Sequence, residues 1–530
     1  MEEYFTYFVN NDCLICGDSH LLTELIEKFY FEIIKFKQEN SYLPKIILKE
    51  RQAVYFLASF IAACKANCPV FLCNPDWGKQ EWQQVFDLVK PDIIWGISQK
   101  GAFASCFLDN LIEKPANIEK PASKMLVHRT RRYANALHNI DIPNPPCPIP
   151  NPQSPHIMIP TGGSSGKIKF AVHSWDTLTA SVKGFQEYFE VDKINSFCVL
   201  PLYHVSGLMQ FMRCFLTGGK LVNLAFKKLE LGQIDNFKNL IDNIDFFISL
   251  VPTQLERLLQ KPDLTLLLSK FQTVLLGGAP AWDELLHKAR FHHIRVAPTY
   301  GMTETASQIA TMKPEDFLIG KVGCGKVLPH ATVQIRNEKG ENLQSNRVGS
   351  INIQAESLAL GYYPLDGERQ TCLQIDDLAF LDEQGYLNIV GRNSDKIITG
   401  GENVYPAEVE AVIRATGIVA DVCVIGVAHR DWGQVVTAIY VEKESKKSDV
   451  DYQAGNMPVL GQINQDKIRK IKVLLKEKLS NYKIPKNWIC VESLPHNSQG
   501  KINRQKLYEM AMEYEESSLN HPSRVKVISP

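Results

Sequence analysis

Short β-rich runs recur at helix-length spacing until about Val322, and that rhythm constrains the fold more than any other feature of the chain. Residues 69–72 (PVFL) and 93–97 (IIWGI) read as buried strands, with a helix over the polar segment 79–89 between them. Strand candidates at 156–159, 197–200, 246–250, 273–276 and 294–298 continue the alternation. Alternating strands and helices imply an α/β architecture with largely parallel sheets. Beyond Val322 the rhythm changes. Runs at 332–335, 349–353 and 386–390 lie close together, joined by the turn sequences Asn337-Glu-Lys-Gly340 and Asp382-Glu-Gln-Gly385, so a small antiparallel β unit is expected. From about residue 395 helices and strands mix again, with Ile468, Ile471, Leu474, Leu475 and Leu479 predicted on one helical face.

Composition excludes several classes of protein. The 58 Lys+Arg balance the 58 Asp+Glu, and 45% of residues are apolar, which argues against wholesale disorder and against a polyanion such as nucleic acid as the main partner. The longest apolar stretch, residues 53–64, is too short to span a membrane, which takes about 20 residues, so it predicts a buried helix. The chain opens Met-Glu-Glu, the wrong charge for a secretory or organellar leader, so a cytoplasmic location is expected. Cys13 and Cys16 form one CxxC, and Cys64, Cys68 and Cys73 a loose cluster. No second CxxC or spaced His pair follows, so the 13 cysteines read as reduced and mostly buried rather than as a zinc site. Seven prolines within 141–155 predict an extended connection leading into the sheet, and 443–461 reads as a polar surface loop.

The most informative stretch is Ile159-Pro-Thr-Gly-Gly-Ser-Ser-Gly-Lys167. Gly162, Gly163 and Gly166 let the backbone turn tightly and present N–H groups to an anion. Thr161, Ser164 and Ser165 add hydroxyls, and Lys167 and Lys169 add charge. A P-loop would need Gly where Thr161 stands, Ser or Thr where Ile168 stands, and a following helix. Residues 168–172 look instead like a strand, so the loop is expected to join two strands. A plain Gly/Ser hairpin is the bland alternative.

Three further motifs follow in order: Tyr300-Gly-Met-Thr-Glu304, then residues 391–406 from Gly391-Arg-Asn-Ser-Asp to Tyr405-Pro406, then Ser498-Gln-Gly-Lys-Ile-Asn-Arg504. The ordered set resembles the adenylate-forming superfamily of acyl-CoA synthetases, luciferases and peptide-synthetase adenylation domains, over about residues 50–510. That resemblance implies a large N-terminal domain, 1–392, of stacked α/β subdomains plus the small β unit, and a small mobile α+β C-terminal domain, 393–530. It also implies a two-step reaction, in which a carboxylate attacks the α-phosphate of ATP and a thiol, usually coenzyme A, displaces AMP.

Site residues follow from the same resemblance. Residues 161–167 would cradle the β- and γ-phosphates, Thr303 (beside Gly301) would hydrogen-bond the α-phosphate, and Glu304 would hold Mg²⁺. Gly278, Ala279 and Tyr300 would form the adenine shelf, and Asp377 and Arg392 would grip the ribose. Lys501 would stabilise the adenylation transition state. Ser394 or Asp395 would be the hinge pivot, and Gly400 and Gly401 would back the pantetheine tunnel. Taken singly, Glu304 could be a solvated helix-start acid, Asp377 a turn residue and Lys501 a surface lysine; their place in ordered motifs favours the functional reading. The chain departs from the family pattern at Ile168 (usually Pro), Phe170 (usually Gly), Ile375-Asp376 (usually Thr-Gly) and Ser394 (commonly Asp or Lys).

The segment Pro201-Leu-Tyr-His-Val-Ser-Gly-Leu208 followed by Arg213 is similar to that of 2-succinylbenzoate–CoA ligases of menaquinone and phylloquinone synthesis, as is Gly400-Gly-Glu-Asn-Val-Tyr-Pro406. The implied substrate is a small dicarboxylate with one carboxyl activated and one held. Arg213 could hold the second carboxylate or lie on a helix surface, His204 could wall the pocket or pack in the core, and Ser206 lies between them. The competing readings are another aryl- or fatty-acyl-CoA ligase and a catalytically silent nucleotide- or acyl-binding relative. A homo-oligomer is left open.

Overall fold

The computed structural model describes residues 4, 6–8, 13–15, 19–97, 103–106, 156–162, 168–365, 371–443, 465–495 and 502–520. The proline-rich stretch 141–155, loop residues 444–461, Cys16, residues 163–167 and Lys501 lie outside the described residues.

Two sheets dominate the first 362 residues. One runs, in spatial order, Leu14–Ile15, Leu221–Asn223, Asn195–Cys198, Phe246–Leu250, Thr273–Leu276, Val296–Met302, Ser307–Thr311 and Lys326–Val327. Its first six strands pair in parallel and the last two join antiparallel. The other runs Gly361–Tyr362, Ile168–Ser174, His156–Gly162, Val70–Leu72, Ile46–Lys49, Ile93–Ile97 and Phe103–Cys106. The helices Ser19–Asn40, Ala53–Lys65 and Val205–Thr217 share one core with residues of both sheets, among them Leu48 and Leu72 from one and Cys198 and Leu221 from the other. The apolar run at 53–64 is therefore apolar because it is covered on every side; Phe56 to Cys64 are all buried. Burying each of Phe56, Leu57, Phe60 and Ile61 contributes about 1.5–3 kcal/mol. Among the described residues no helix is long and apolar enough to cross a membrane. Cys64 and Cys73 are fully buried, and burial pushes their thiols well above the usual range and that of Cys68 up to about 12.

The expected antiparallel β unit is the sheet Ala331–Arg336, Gly349–Ala355, Leu373–Leu381 and Leu387–Arg392. Both anticipated turns close it: the N–H of Gly340 bonds the carbonyl of Asn337, that of Gly385 bonds Asp382, and both glycines have φ near +80°. The strand Leu373–Leu381 is absent from the sequence reading, because its first half alternates partly exposed and exposed residues and carries few apolar side chains. After Arg392 the next strand begins at Ile397. A last sheet of Glu402–Val404, Ile397–Thr399, Gly433–Glu442, Val419–His429 and Asn487–Val491 is flanked by the helices Pro406–Ala415, Gln465–Lys478 and Arg504–Asn520.

Three boundaries differ from expectation. The strand placed at 197–200 is Asn195–Cys198, since Pro201 leads directly into the turn before the helix Val205–Thr217. The strand placed at 294–298 runs on to Met302, because its far half pairs antiparallel with Ser307–Thr311. On Gln465–Lys478, Ile471 and Leu475 are buried and Leu479, just beyond the helix end, is 8% exposed, whereas Leu474 is 40% exposed, so the buried stripe follows an i, i+4 row that excludes Leu474.

Candidate functional site

Three of the candidate segments follow the carboxyl ends of parallel strands, where open α/β sheets bind ligands. Gly277-Gly278-Ala279-Pro280 leaves the end of Thr273–Leu276, exposed from Gly278 onward, with Gly278 at φ +81°. Tyr300 lies on Val296–Met302, and His204 caps the start of Val205–Thr217. Gly207 in that helix has no alternative, because a Cβ there would sit 2.1 Å from the carbonyl oxygen of Pro201.

The Thr303–Thr305 segment is a single 3₁₀ turn followed by two non-glycine residues in left-handed backbone, Ala306 at φ +52° and Ser307 at φ +92°. Such conformations cost of order 1–3 kcal/mol each and persist only where neighbours hold them. Three side chains do so on nearly successive carbonyls: His173 Nε2 donates to Thr303 O (2.8 Å), Ser357 Oγ to Thr305 O (2.9 Å) and Ser181 Oγ to Ala306 O (2.7 Å). Gly301 is required beneath this turn, since a Cβ would meet Ser307 O at 2.0 Å. Within the turn, Glu304 Oε1 accepts from Tyr362 OH (2.6 Å) and Thr161 Oγ1 (3.3 Å), so the acid bridges the two large sheets. Lys169 stands 5.4 Å from the centre of the Tyr362 ring. A shallow cleft lined by Glu304, Leu358, Ala359, Gly361, Tyr362 and Leu373 opens beside it.

His173, Ser181, Ser357 and Tyr362 were not singled out from sequence. Their partners lie 52 to 130 residues away, and no local spacing announces such contacts. Burial lowers the pKa of His173 to about 4. Since a carbonyl only accepts, the neutral ring carries its proton on Nε2, and Nδ1 accepts from Thr177 Oγ1 at 3.0 Å. Between the unfolded value of about 6.5 and the folded value of about 4, the unfolded chain binds the extra proton, so stability falls as pH falls through that window. Wild type should lose about 3 kcal/mol more than His173→Gln between pH 7 and pH 4. Urea unfolding at both pH values reads this, and parallel losses would show that the ring is not held neutral.

The strand–loop–strand expectation around residues 161–167 is met at both ends. His156–Gly162 pairs antiparallel with Ile168–Ser174 up to Gly162 opposite Ile168, so a strand rather than the helix a P-loop needs follows the loop. Asp377 is a strand residue rather than a turn residue, paired in register with Arg392. Its Oδ2 accepts from Tyr300 OH at 2.5 Å and its Oδ1 from Arg392 Nε at 3.2 Å, which leaves acceptor capacity on each oxygen. Burial and the nearby Asp377 push the Tyr300 phenol far up, so it stays a donor. Gly400 (φ +59°) and Gly401 (φ +84°) form a two-residue hairpin loop between Ile397–Thr399 and Glu402–Val404, a turn that needs positive φ at both positions. Gly400 N–H bonds Trp432 O at 2.9 Å. Ser394 and Asp395 lie in the crossing between the antiparallel unit and the last sheet.

Arg213 is not a surface residue. It is 2% exposed, with its guanidinium carbon 4.2 Å from the centre of the Phe185 ring. Its Nη2 donates to Gln308 Oε1 (3.0 Å) and Ser307 Oγ (3.3 Å), just beyond the Thr303–Thr305 turn, and its buried Nε has no partner. No carboxylate pairs with it among the described residues. Burial lowers its pKa only to about 10, so the cation persists at neutral pH. Gln210 Oε1, one turn back on the same helix, is also buried without a partner. His204 is half-buried, its ring tilted against that of Tyr203 with centroids 4.7 Å apart, so it is not a fully packed core residue; Ser206 is likewise half-buried.

A sequence model of AMP-binding enzymes matches residues 46–363, and one of their C-terminal domain matches residues 408–501. The chain belongs to the AMP-binding enzyme family. Relatives of this AMP-binding enzyme include a 2-succinylbenzoate–CoA ligase of Bacillus licheniformis, 30% identical over 75% of this chain and 82% of the relative. Another, of Listeria monocytogenes, is 33% identical over 66% and 68%. An o-succinylbenzoate CoA synthetase of Bacillus subtilis, solved with its acyl-adenylate intermediate, superposes with a TM-score of 0.70 at 22% identity, covering 93% and 94% of the two chains. ATP-bound MatB of Rhodopseudomonas palustris gives 0.68 at 21%, covering 94% and 95%. At these identities the superpositions speak for the fold: the α/β layers, the antiparallel unit and the smaller C-terminal part are those of adenylate-forming enzymes.

Proposed function

We propose that this AMP-binding enzyme is an acid–thiol ligase that activates 2-succinylbenzoate with ATP and passes the acyl group to coenzyme A, in the cytoplasm. The observation that carries the substrate assignment is Arg213, a permanently charged, buried guanidinium with a free Nε and no carboxylate partner among the described residues. Burying an uncompensated cation is costly, and a carboxylate supplied by the substrate offsets that cost. The curated relatives support the same choice.

In the first step a carboxylate oxygen of the substrate bonds the α-phosphorus of ATP and the bond to the β-phosphate breaks, giving acyl-AMP and pyrophosphate. In the second the thiol sulfur bonds the acyl carbon, AMP departs and the thiol proton goes to solvent. Thr161 and the loop after it hold the β- and γ-phosphates, and Thr303 bonds the α-phosphate. Tyr300 and the Gly278-Ala279 shelf receive the adenine. Asp377, oriented by Tyr300 and Arg392, accepts the ribose hydroxyls with its remaining lone pairs. Glu304 suits Mg²⁺ shared with phosphates: Oε2 makes no hydrogen bond in the described structure, and the ion usually takes one or two carboxylates beside substrate oxygens. When bound, Mg²⁺ neutralises phosphate charge. The large domain ends at residue 392 and the small one begins at 393, with Lys501 serving the first step and the Gly400-Gly401 hairpin the second.

Pyrophosphate release across a panel of carboxylic acids tests this reading. The dicarboxylate should be preferred, and equal turnover of a medium-chain fatty acid would overturn the substrate while leaving the ligase class. Glu304→Gln should weaken Mg²⁺-ATP use with the melting temperature nearly unchanged, because the residue is only partly buried. An unfolded variant would mark that carboxylate as structural.

A further inference from the structure

Asp376 is exposed on Leu373–Leu381, immediately before the ribose-site Asp377, at a position where a glycine would have no side chain to offer. Its Oδ2 accepts the backbone N–H of Ser394 at 3.1 Å, and its carbonyl accepts that of Asn393 at 2.8 Å. One residue further on the allegiance of the chain changes. Asp395 Oδ2 lies 3.4 Å from Arg504 Nε. Arg504 in turn donates to Glu410 Oε1 (2.9 Å) and to the Val424 carbonyl (2.6 Å), and Glu410 Oε1 accepts the N–H of Val424 (2.8 Å). Asn393 and Ser394 are thus bound to the antiparallel unit and Asp395 to the last sheet. Between these two sets of contacts lies the Ser394–Asp395 peptide, spanned by one backbone bond, from Lys396 N–H to the Asn393 carbonyl at 3.2 Å.

We propose that Asp376 is a positioning residue that latches the hinge, fixing the Ser394 N–H to the large domain and so setting how the enzyme divides its time between the conformers for its two half-reactions. This rests on the proposed function, in which Lys501 serves the first step and the Gly400-Gly401 hairpin the second, read as two conformers related by rotation of the small domain at the hinge. Rotation about the Ser394–Asp395 link swings the body anchored by Arg504, which lies three residues after Lys501 and so moves with it. Turning Ser394 withdraws its N–H from a carboxylate fixed in a strand. A hydrogen bond of this exposed, charge-assisted kind shifts a two-state population by about twofold to tenfold. Because the latch favours one conformer, its loss must speed one half-reaction and slow the other.

The test compares Asp376→Ala and Asp376→Asn with wild type in two separate assays: pyrophosphate exchange for adenylation, and consumption of preformed acyl-adenylate by coenzyme A. Asp376→Ala should change the ratio of the two rates by about twofold to tenfold, with opposite signs in the two assays. Asp376→Asn, which keeps an oxygen in the same place, should restore most of the ratio. An unchanged ratio, or a rise in KM for ATP alone, would overturn the latch; the second result would mean that Asp376 acts on the ribose through Asp377. Lys501→Ala run in parallel separates the two ideas. If that variant loses both half-reactions equally, the two-conformer reading itself falls. If it loses only adenylation while Asp376→Ala leaves the ratio alone, only the latch falls.

Discussion

Replacing Lys501 by alanine is expected to reduce adenylation by about 10²- to 10³-fold, the usual cost of removing one preorganised donor from developing negative charge. Thioester formation from preformed acyl-adenylate should fall far less if, as proposed, the lysine serves only the first step. Single-turnover measurement of each step reads this directly. The expectation comes from the order of motifs: Lys501 follows Gly500 and precedes Arg504, which is tied through Glu410 and Val424 to the last sheet. A lysine on a segment anchored in that way is carried as part of a body and can be withdrawn as one. Equal losses in both steps would mean a single static site.

Arg213→Leu is expected to lower kcat/KM for 2-succinylbenzoate by about 10- to 150-fold, the value of a charge-assisted contact of roughly 1.5–3 kcal/mol, while KM for ATP hardly moves. The structure adds a second expected result. Removing a buried cation that no carboxylate among the described residues neutralises should leave thermal stability unchanged or raise it, since Gln308 Oε1 keeps a donor in Ser307 Oγ (3.5 Å). Loss of activity together with a gain in stability is the signature of a group kept for binding. Arg213→Lys should recover only part, because an ammonium cannot reproduce the planar fork already committed to Gln308 and Ser307. An analogue lacking the aromatic carboxylate should be poor with wild type and lose little further with Arg213→Leu. If wild type turns over that analogue as well as the dicarboxylate, Arg213 does not hold the substrate.

The layered α/β core was legible because burial on both faces writes itself into the chain as continuous apolar runs. The strands at 246–250 and 273–276 and the helix at 79–89 fall where periodicity puts them. The polar strand Leu373–Leu381 escaped for the converse reason: its pairing on both sides, not its side chains, makes it a strand, and its half-solvated first half leaves no apolar rhythm to read. Glu304, Asp377 and Arg213 could each be named from motif order, yet each was compatible with an ordinary surface role. Where each of them sits depends on contacts in space between residues far apart in sequence.

By itself the sequence determined the architecture, the two strands that flank the glycine-rich loop, and the set of charged residues available for chemistry. These depend on local spacing, on backbone freedom at glycine and on apolar periodicity, all of which act over a few residues. Only the tertiary structure decided that Arg213 is buried without a carboxylate among the described residues and that His173, Ser181 and Ser357 clamp the strained turn bearing Glu304. Only it decided, too, that Asp376 reaches the hinge. Burial, pairing and strain are properties of contacts made across 18 to 130 residues, and a chain read one residue at a time does not contain them.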